Sequence, residues 1–151
     1  MGMTSVRELY KIGRGPSSSH TIGPERACRV FREKHPEADA FRVVLYGSLA
    51  RTGEGHGTGR VIEKTFAPLP VTVEWDTVTT DLPHPNTMDL FAYRAGAECG
   101  RMRAMSVGGG NIVLDKPYLP APEERYAEAS FDDIRVVCEA QGLRLCEYVF
   151  R

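Results

Sequence analysis

Fifteen glycines and ten prolines distributed over 151 residues cut this chain into short elements, and neither an internal repeat nor a low-complexity tract interrupts that rhythm. Between the breaks the elements alternate in type. Pro24 stands where a first helical turn begins, after Ser and Thr residues, and Ala27, Val30 and Phe31 lay one apolar stripe up to Lys34 and His35. That spacing predicts a helix of about three turns. The segments FRVVLY (41–46), PVTVEW (70–75) and MDLFAYRA (88–95) are β-branched or aromatic, and the latter two alternate with period two; GRMRAMSV (100–107) and NIVL (111–114) predict two further strands. Residues 116–128 hold three prolines and little periodicity, which marks a surface connection. Ser130 and Asp133 then suggest a capping box for a helix with Phe131, Ile134, Val137 and Cys138 on its stripe and Gly142 at its C-cap. The terminal LRLCEYVF predicts a strand, or a segment awaiting a continuation. The sum is one α+β domain over residues 1–151, built on a mixed, mostly antiparallel sheet with two or three helices.

Length and charge exclude several classes of function. A chain of this size buries roughly 68–70% of its unfolded surface, so a hydrophobic core suffices without disulfides or metal. A formal net charge of -1 removes the electrostatic footprint of a nucleic-acid binder. The apolar runs fall far short of the roughly 20 residues needed to span a bilayer, and the N-terminus has no apolar signal-like core. Cys28, Cys99, Cys138 and Cys146 show no C-x-x-C and no zinc-site spacing. They read as buried or half-buried reduced thiols of a cytoplasmic protein.

Four stretches are richer in Gly, Ser and His than turns require: GRGPSSSHTIGP (13–24), YGSLARTGEGHGTG (46–59), LPHPNTM (82–88) and SVGGGN (106–111). In the first, Ser17, Ser18, Ser19, His20 and Thr21 stand at a helix start, where unpaired amides and the positive dipole end favour a carboxylate or phosphate. The same residues equally make a Ser-rich N-cap, and the stretch is neither a P-loop nor a G-x-G-x-x-G fingerprint. In the second, Gly55 and Gly57 flank His56, which suits a loop that brings backbone close to a small ligand and leaves the imidazole open to it; plain solvent exposure is the alternative. In the third, His84, Pro85 and Asn86 form either a ligand contact or an ordinary turn. Gly108 to Gly110 predict a β-bulge or bend, or a backbone anion nest. Together His20, His56 and Asn86 suggest a polar pocket for a small polar metabolite.

The order KIGRGPSSSHTIGP, a strand into YGSLARTGEGHGT, LPHPNTM and SVGGG resembles the β domain of iron-sulfur-dependent L-serine dehydratase, also called L-serine deaminase. The resemblance runs from Glu8 to the terminal helix. It implies a fold related to the allosteric substrate-binding domain of some D-3-phosphoglycerate dehydrogenases. It also implies a lyase that converts L-serine to pyruvate and ammonia with a four-iron, four-sulfur cluster instead of pyridoxal phosphate. The cluster's cysteines lie in an α domain, either a separate subunit or the C-terminal half of one polypeptide, and this chain's cysteines do not match them. The expected partners are therefore L-serine and an α domain or subunit, in a homo- or hetero-oligomer, with no nucleic acid and no membrane. The chain is expected to bind no cluster and to be inactive alone.

By the same resemblance His56 is the candidate base for the α proton, and His20 is a second catalytic or substrate-positioning histidine. Asn86 is a donor that holds substrate, while Ser17, Ser18, Ser19 and Thr21 bind its carboxylate. A neutral imidazole near its ordinary pKa of about 6.5 suits proton removal, and a cluster iron suits departure of the hydroxyl. The other function the fold allows is a serine-binding regulatory module without catalysis.

Overall fold

The computed structural model describes residues 3–4, 11–116 and 124–150, and these form two compact units. The larger holds residues 11–116. It is built from a π-helical turn (Ser18–Ile22), α1 (Gly23–Lys34), β2 (Ala40–Tyr46), α2 (Gly47–His56), α3 (Thr58–Phe66), β3 (Val71–Asp76), β4 (Thr87–Arg94), β5 (Ala97–Gly108) and β6 (Asn111–Leu114). The smaller pairs β1 (Met3–Thr4) antiparallel with β7 (Glu124–Tyr126) and adds α4 (Phe131–Gln141) and α5 (Leu145–Val149). Among the described residues no helix is long and apolar enough to cross a membrane.

The five-stranded sheet runs β3-β2-β4-β5-β6, with β2 and β3 parallel and the remaining pairs antiparallel. The α+β class and the mixed, mostly antiparallel sheet thus agree with the sequence. Each expected strand of this sheet lies within a few residues of its observed position, because alternation and β-branching operate locally. One face is dry. Phe41, Val43 and Leu45 of β2, Met88, Leu90 and Ala92 of β4, and Met102 and Ala104 of β5 pack there against Ala27, Cys28 and Phe31 of α1 and Ile62 and Phe66 of α3. The Phe41 and Phe66 rings stack at 4.2 Å. The Leu, Ile and Phe side chains of this core contribute roughly 1.5–3 kcal/mol each when fully buried, which makes this layer the main source of stability.

The helix count exceeds expectation, and the excess lies between β2 and β3. Residues 46–59 read as a glycine-rich loop, yet residues 47–66 form α2 and α3. The reason is topological. Two parallel neighbours require a long crossover, and a helix is the structure that satisfies the backbone while returning the chain across the sheet. Gly57, at φ 76°, ends α2 in the left-handed conformation and starts α3, a position a side chain would strain. Gly53 and Gly59 seat Trp75: a Cβ at Gly53 would stand 3.0 Å from the indole and 2.8 Å from Thr58 Oγ1. Those glycines serve packing rather than an open loop.

The C-terminal unit differs from expectation at two places. LRLCEYVF forms the short helix α5, since the Arg144 amide donates to Glu147 Oε2 at 2.8 Å and Tyr148 joins Ile134 and Cys138 in a small core, stacked on Tyr126. The three-residue cap spacing outweighs the local alternation. Within the expected surface connection, β7 appears; residues 117–123 of that connection lie outside the described residues. At α4 the Ser130 hydroxyl accepts from the Asp133 amide at 3.2 Å, while the Asp133 carboxylate takes the same hydroxyl's proton, so the box closes on the hydroxyl instead of the cap amide. Cys28 and Cys138 are buried as expected, whereas Cys99 and Cys146 are exposed.

Candidate active site

The turn that carries the serines is tight. Ser17 is extended, and its carbonyl accepts from the amides of His20 at 3.3 Å and Thr21 at 2.8 Å. The Thr21 hydroxyl, buried, is directed onto the carbonyls of Arg14 and Ser17. Its proton fastens the loop and is not available to a ligand. Ser17 and Ser19 are half-buried and Ser18 is exposed.

His20 is 9% exposed and held at both ring nitrogens. Nδ1 faces the Ser19 hydroxyl at 3.0 Å and that of Ser17 at 3.3 Å; Nε2 faces Thr52 Oγ1 at 3.0 Å and Ser48 Oγ at 3.2 Å. The Thr52 hydroxyl donates to the Ser48 carbonyl at 2.9 Å. With its single proton engaged there, Thr52 Oγ1 accepts from Nε2–H, which assigns neutral His20 the Nε2–H tautomer with Nδ1 as acceptor. Burial, followed by the charge of His56, lowers the pKa of His20 from its ordinary value, and a hydrogen bond to Ser48 opposes the shift.

Ser48, Thr52 and His56 stand four residues apart along α2, so one helix face presents all three to His20. The His20 and His56 ring centroids are 4.7 Å apart. His56 Nδ1 lies 2.7 Å from the Thr52 carbonyl, which can only accept, so Nδ1 carries the proton and Nε2 the lone pair in the neutral ring. Thr58 completes the frame: fully buried at the start of α3, it donates its hydroxyl to the His20 carbonyl at 2.7 Å. Ser48, Thr52 and Thr58 escaped the sequence reading. The signal for Ser48 and Thr52 was their i, i+4 spacing ahead of His56 at i+8, which acquires meaning once 47–56 is helical; Thr58 had none.

The turn before β4 reaches the same place from the other side. The Ser48 amide donates to the Pro85 carbonyl at 2.7 Å, and a Cβ on Gly47 would meet that oxygen at 2.5 Å. His84 Nδ1 accepts from the Asn86 amide at 3.0 Å, so its lone pair is engaged in the turn. The Asn86 side chain donates Nδ2 to the Ser106 carbonyl at 3.2 Å. Its Oδ1 is buried without a hydrogen-bond partner, and so is Ser106 Oγ nearby. Asn86 was expected as a donor; the atom left open is an acceptor, because the amide nitrogen must face the carbonyl. Gly109 and Gly110, both at positive φ, form the two-residue turn between β5 and β6, and the register shifts beside Gly108. The glycine triplet is thus a hairpin with a bulge.

A cavity of about 480 Å³ opens on His56 and Thr21 and is rimmed, among the described residues, by Arg14, Arg60 and Lys64 against Glu54. The rim favours an anion. A larger groove of about 620 Å³ runs between α1 and α3, but Arg29 is paired with Glu25 and Arg32 is bonded to the carbonyls of Thr65 and Ala67. Of the described residues, one group brings three metal-ligating side chains together: His35, Glu37 and Cys99. It lies at the far end of α1 from His20, about 18 Å along the helix axis at 1.5 Å per residue.

Fold and site define an α+β domain that presents an open histidine, His56, to a cation-rimmed cavity, with the caged His20 ring 4.7 Å behind it. Residues 5–64 match the family model for the serine dehydratase beta chain. The L-serine dehydratase of Streptomyces coelicolor is 37% identical over 72% of this chain and 33% of its own length. L-serine dehydratase 2 of Escherichia coli is 42% identical over 95% of this chain and 41% of its own length, and the L-serine dehydratase of Mycobacterium bovis is 35% identical over 74% and 33%. The family model and these relatives make the matched segment similar to the serine dehydratase beta chain. It spans about a third to two-fifths of the length of these relatives. The matched segment contains the serine turn and both histidines of the pair; Asn86 lies beyond it.

Proposed function

We propose that this chain is the β portion of an L-serine ammonia-lyase and supplies substrate binding and the α-proton base for conversion of L-serine to pyruvate and ammonia. The observation that carries the reading is the Ser48, Thr52 and His56 face of α2 closing on His20, with the Nε2 lone pair of His56 open. Neutral His56 takes the α proton at Nε2, and the imidazolium so formed sits at the C-terminal end of α2, where the helix dipole favours a cation. Burial keeps His20 neutral beside it. The cationic rim and the exposed Ser18 hydroxyl receive the substrate carboxylate. Asn86 Oδ1 accepts from the substrate ammonium, which would give that buried oxygen its missing partner.

Iron-sulfur clusters are held by several Cys thiolates acting together. The residues here do not fit one: Cys28 and Cys138 are buried, and the His35, Glu37 and Cys99 group brings a single thiol. We place the cluster's ligands in an α portion, in continuation with this chain or on another, and assign no step of this chain to the cluster. The test is the chain assembled anaerobically with its α portion and given L-serine. Pyruvate and ammonia are expected in equal amounts, and none from this chain alone. An assembled, cluster-loaded protein that binds L-serine without forming pyruvate overturns the reading in favour of a regulatory module.

A further inference from the structure

Cys99 owes its position to an irregularity. Along the β4 and β5 pairing, Ala92 faces Gly100 and Tyr93 faces Glu98, so Cys99 is the extra residue of a β-bulge. A bulge re-aims a side chain that strict alternation would direct elsewhere. Here it leaves the exposed thiol beside His35, the C-cap of α1, and Glu37 two residues on; one ligand atom from each lies within 4.8 Å of the others.

The histidine of this group is held in place. Its ring centroid is 4.6 Å from that of Phe31, and on the other side it lies over Gly100, where a Cβ would come within 2.2 Å of Cε1. Nδ1 is 3.3 Å from Glu37 Oε1, while Nε2 is buried with no hydrogen-bond partner. Nδ1, which faces the carboxylate, is therefore the nitrogen within reach of a ligand shared with Glu37, while Nε2 lies buried. The catalytic reading above uses none of these three residues.

We propose that His35, Glu37 and Cys99 bind a divalent cation of the zinc class at the C-terminal end of α1. Thiolate with imidazole and carboxylate selects such an ion over calcium or magnesium, which take oxygen ligands. Tetrahedral ligands at about 2.0–2.3 Å from zinc stand about 3.3–3.8 Å apart. The His35 to Glu37 separation already has that value, and rotation of the exposed Cys99 closes the rest. Binding releases the thiol proton to solvent, and the negative end of the α1 dipole adds attraction for the cation. Three protein ligands leave a fourth position for water.

Cobalt(II) is the probe. Added to the full chain, metal-free and with thiols reduced, it is expected to give the visible bands of a tetrahedral site and a thiolate-to-cobalt charge-transfer band, both displaced by zinc. Cys99→Ser should abolish the charge-transfer band, and Glu37→Gln should weaken binding by about 10-fold or more. Cys146→Ser, which alters the other exposed thiol, should change neither. These three lie at the surface, and circular dichroism checks that each variant folds, whereas substitution of the packed His35 would confound ligand loss with unfolding. A charge-transfer band that survives Cys99→Ser, or the absence of a tetrahedral spectrum in the folded parent chain, overturns the proposal.

Discussion

Two segments of this protein carry a histidine between helix breakers, and they take opposite structures. Residues 47–56 become the helix α2 despite Gly47, Gly53 and Gly55; residues 82–86, with Pro83 and Pro85 around His84, remain a turn. Glycine costs a helix roughly 1 kcal/mol relative to alanine, a penalty that crossover topology and packing on Trp75 can offset. Proline also removes an amide donor, a loss that packing does not restore. The difference then sets the chemistry of the two rings. On the helix, His56 donates Nδ1–H to the carbonyl four residues back and keeps Nε2 open. In the turn, His84 accepts the amide two residues on and has its Nδ1 lone pair engaged.

The largest test of that contrast is catalytic. In the assembled enzyme His56→Ala is expected to lower kcat by about 10²–10⁴-fold, the range of a lost general base, while His84→Ala leaves kcat near the parent value and costs about 1 kcal/mol of stability. Steady-state pyruvate formation and urea unfolding of both variants measure it, and equal losses of kcat would break the distinction. A smaller effect probes why the glycine segment is helical. Gly53→Ala drives a Cβ against Thr58 and Trp75 and should destabilise by about 1–3 kcal/mol, whereas Gly55→Ala, with open space around its Cβ, should stabilise by about 0.5–1 kcal/mol. Opposite shifts in urea midpoint are the expected outcome; gains at both sites would mean that Trp75 exerts no constraint.

The smallest effect is on pH. The pKa of His20 is lowered in the folded protein, chiefly by burial. Below about pH 6.5 the unfolded chain therefore takes up a proton at this site before the folded one does. Its contribution is intact above that pH and is lost as pH falls through the lowered folded value. The urea midpoint should fall on acidification, and His20→Gln should flatten the slope. An unchanged slope would contradict the effect of the cage formed by α2 and the serine turn.

Much of the fold was legible locally. FRVVLY announces a strand by its β-branched and aromatic content, Val71 with Val73 and Met102 with Ala104 announce strands by one-face spacing, and Pro24 with Ala27 and Phe31 announces α1. The motifs around His20, His56 and Asn86 marked candidate residues, and the structure brings the His20 and His56 rings within 4.7 Å. Less was legible where function depends on contacts distant in sequence. Thr58 matters because its hydroxyl reaches a carbonyl 38 residues away, and Cys99 meets His35 because a strand bulges.

The sequence by itself determined the element types wherever side-chain period and caps act within a few residues, and it placed the histidine motifs in order. The tertiary structure alone decided that residues 47–66 are helical, that Ser48, Thr52 and His56 share a face toward His20, and that Asn86 offers an acceptor. The physical reason is range: propensity and periodicity act over one or two turns, whereas the parallel pairing of β2 with β3 joins segments some 30 residues apart and sets the path of everything between them.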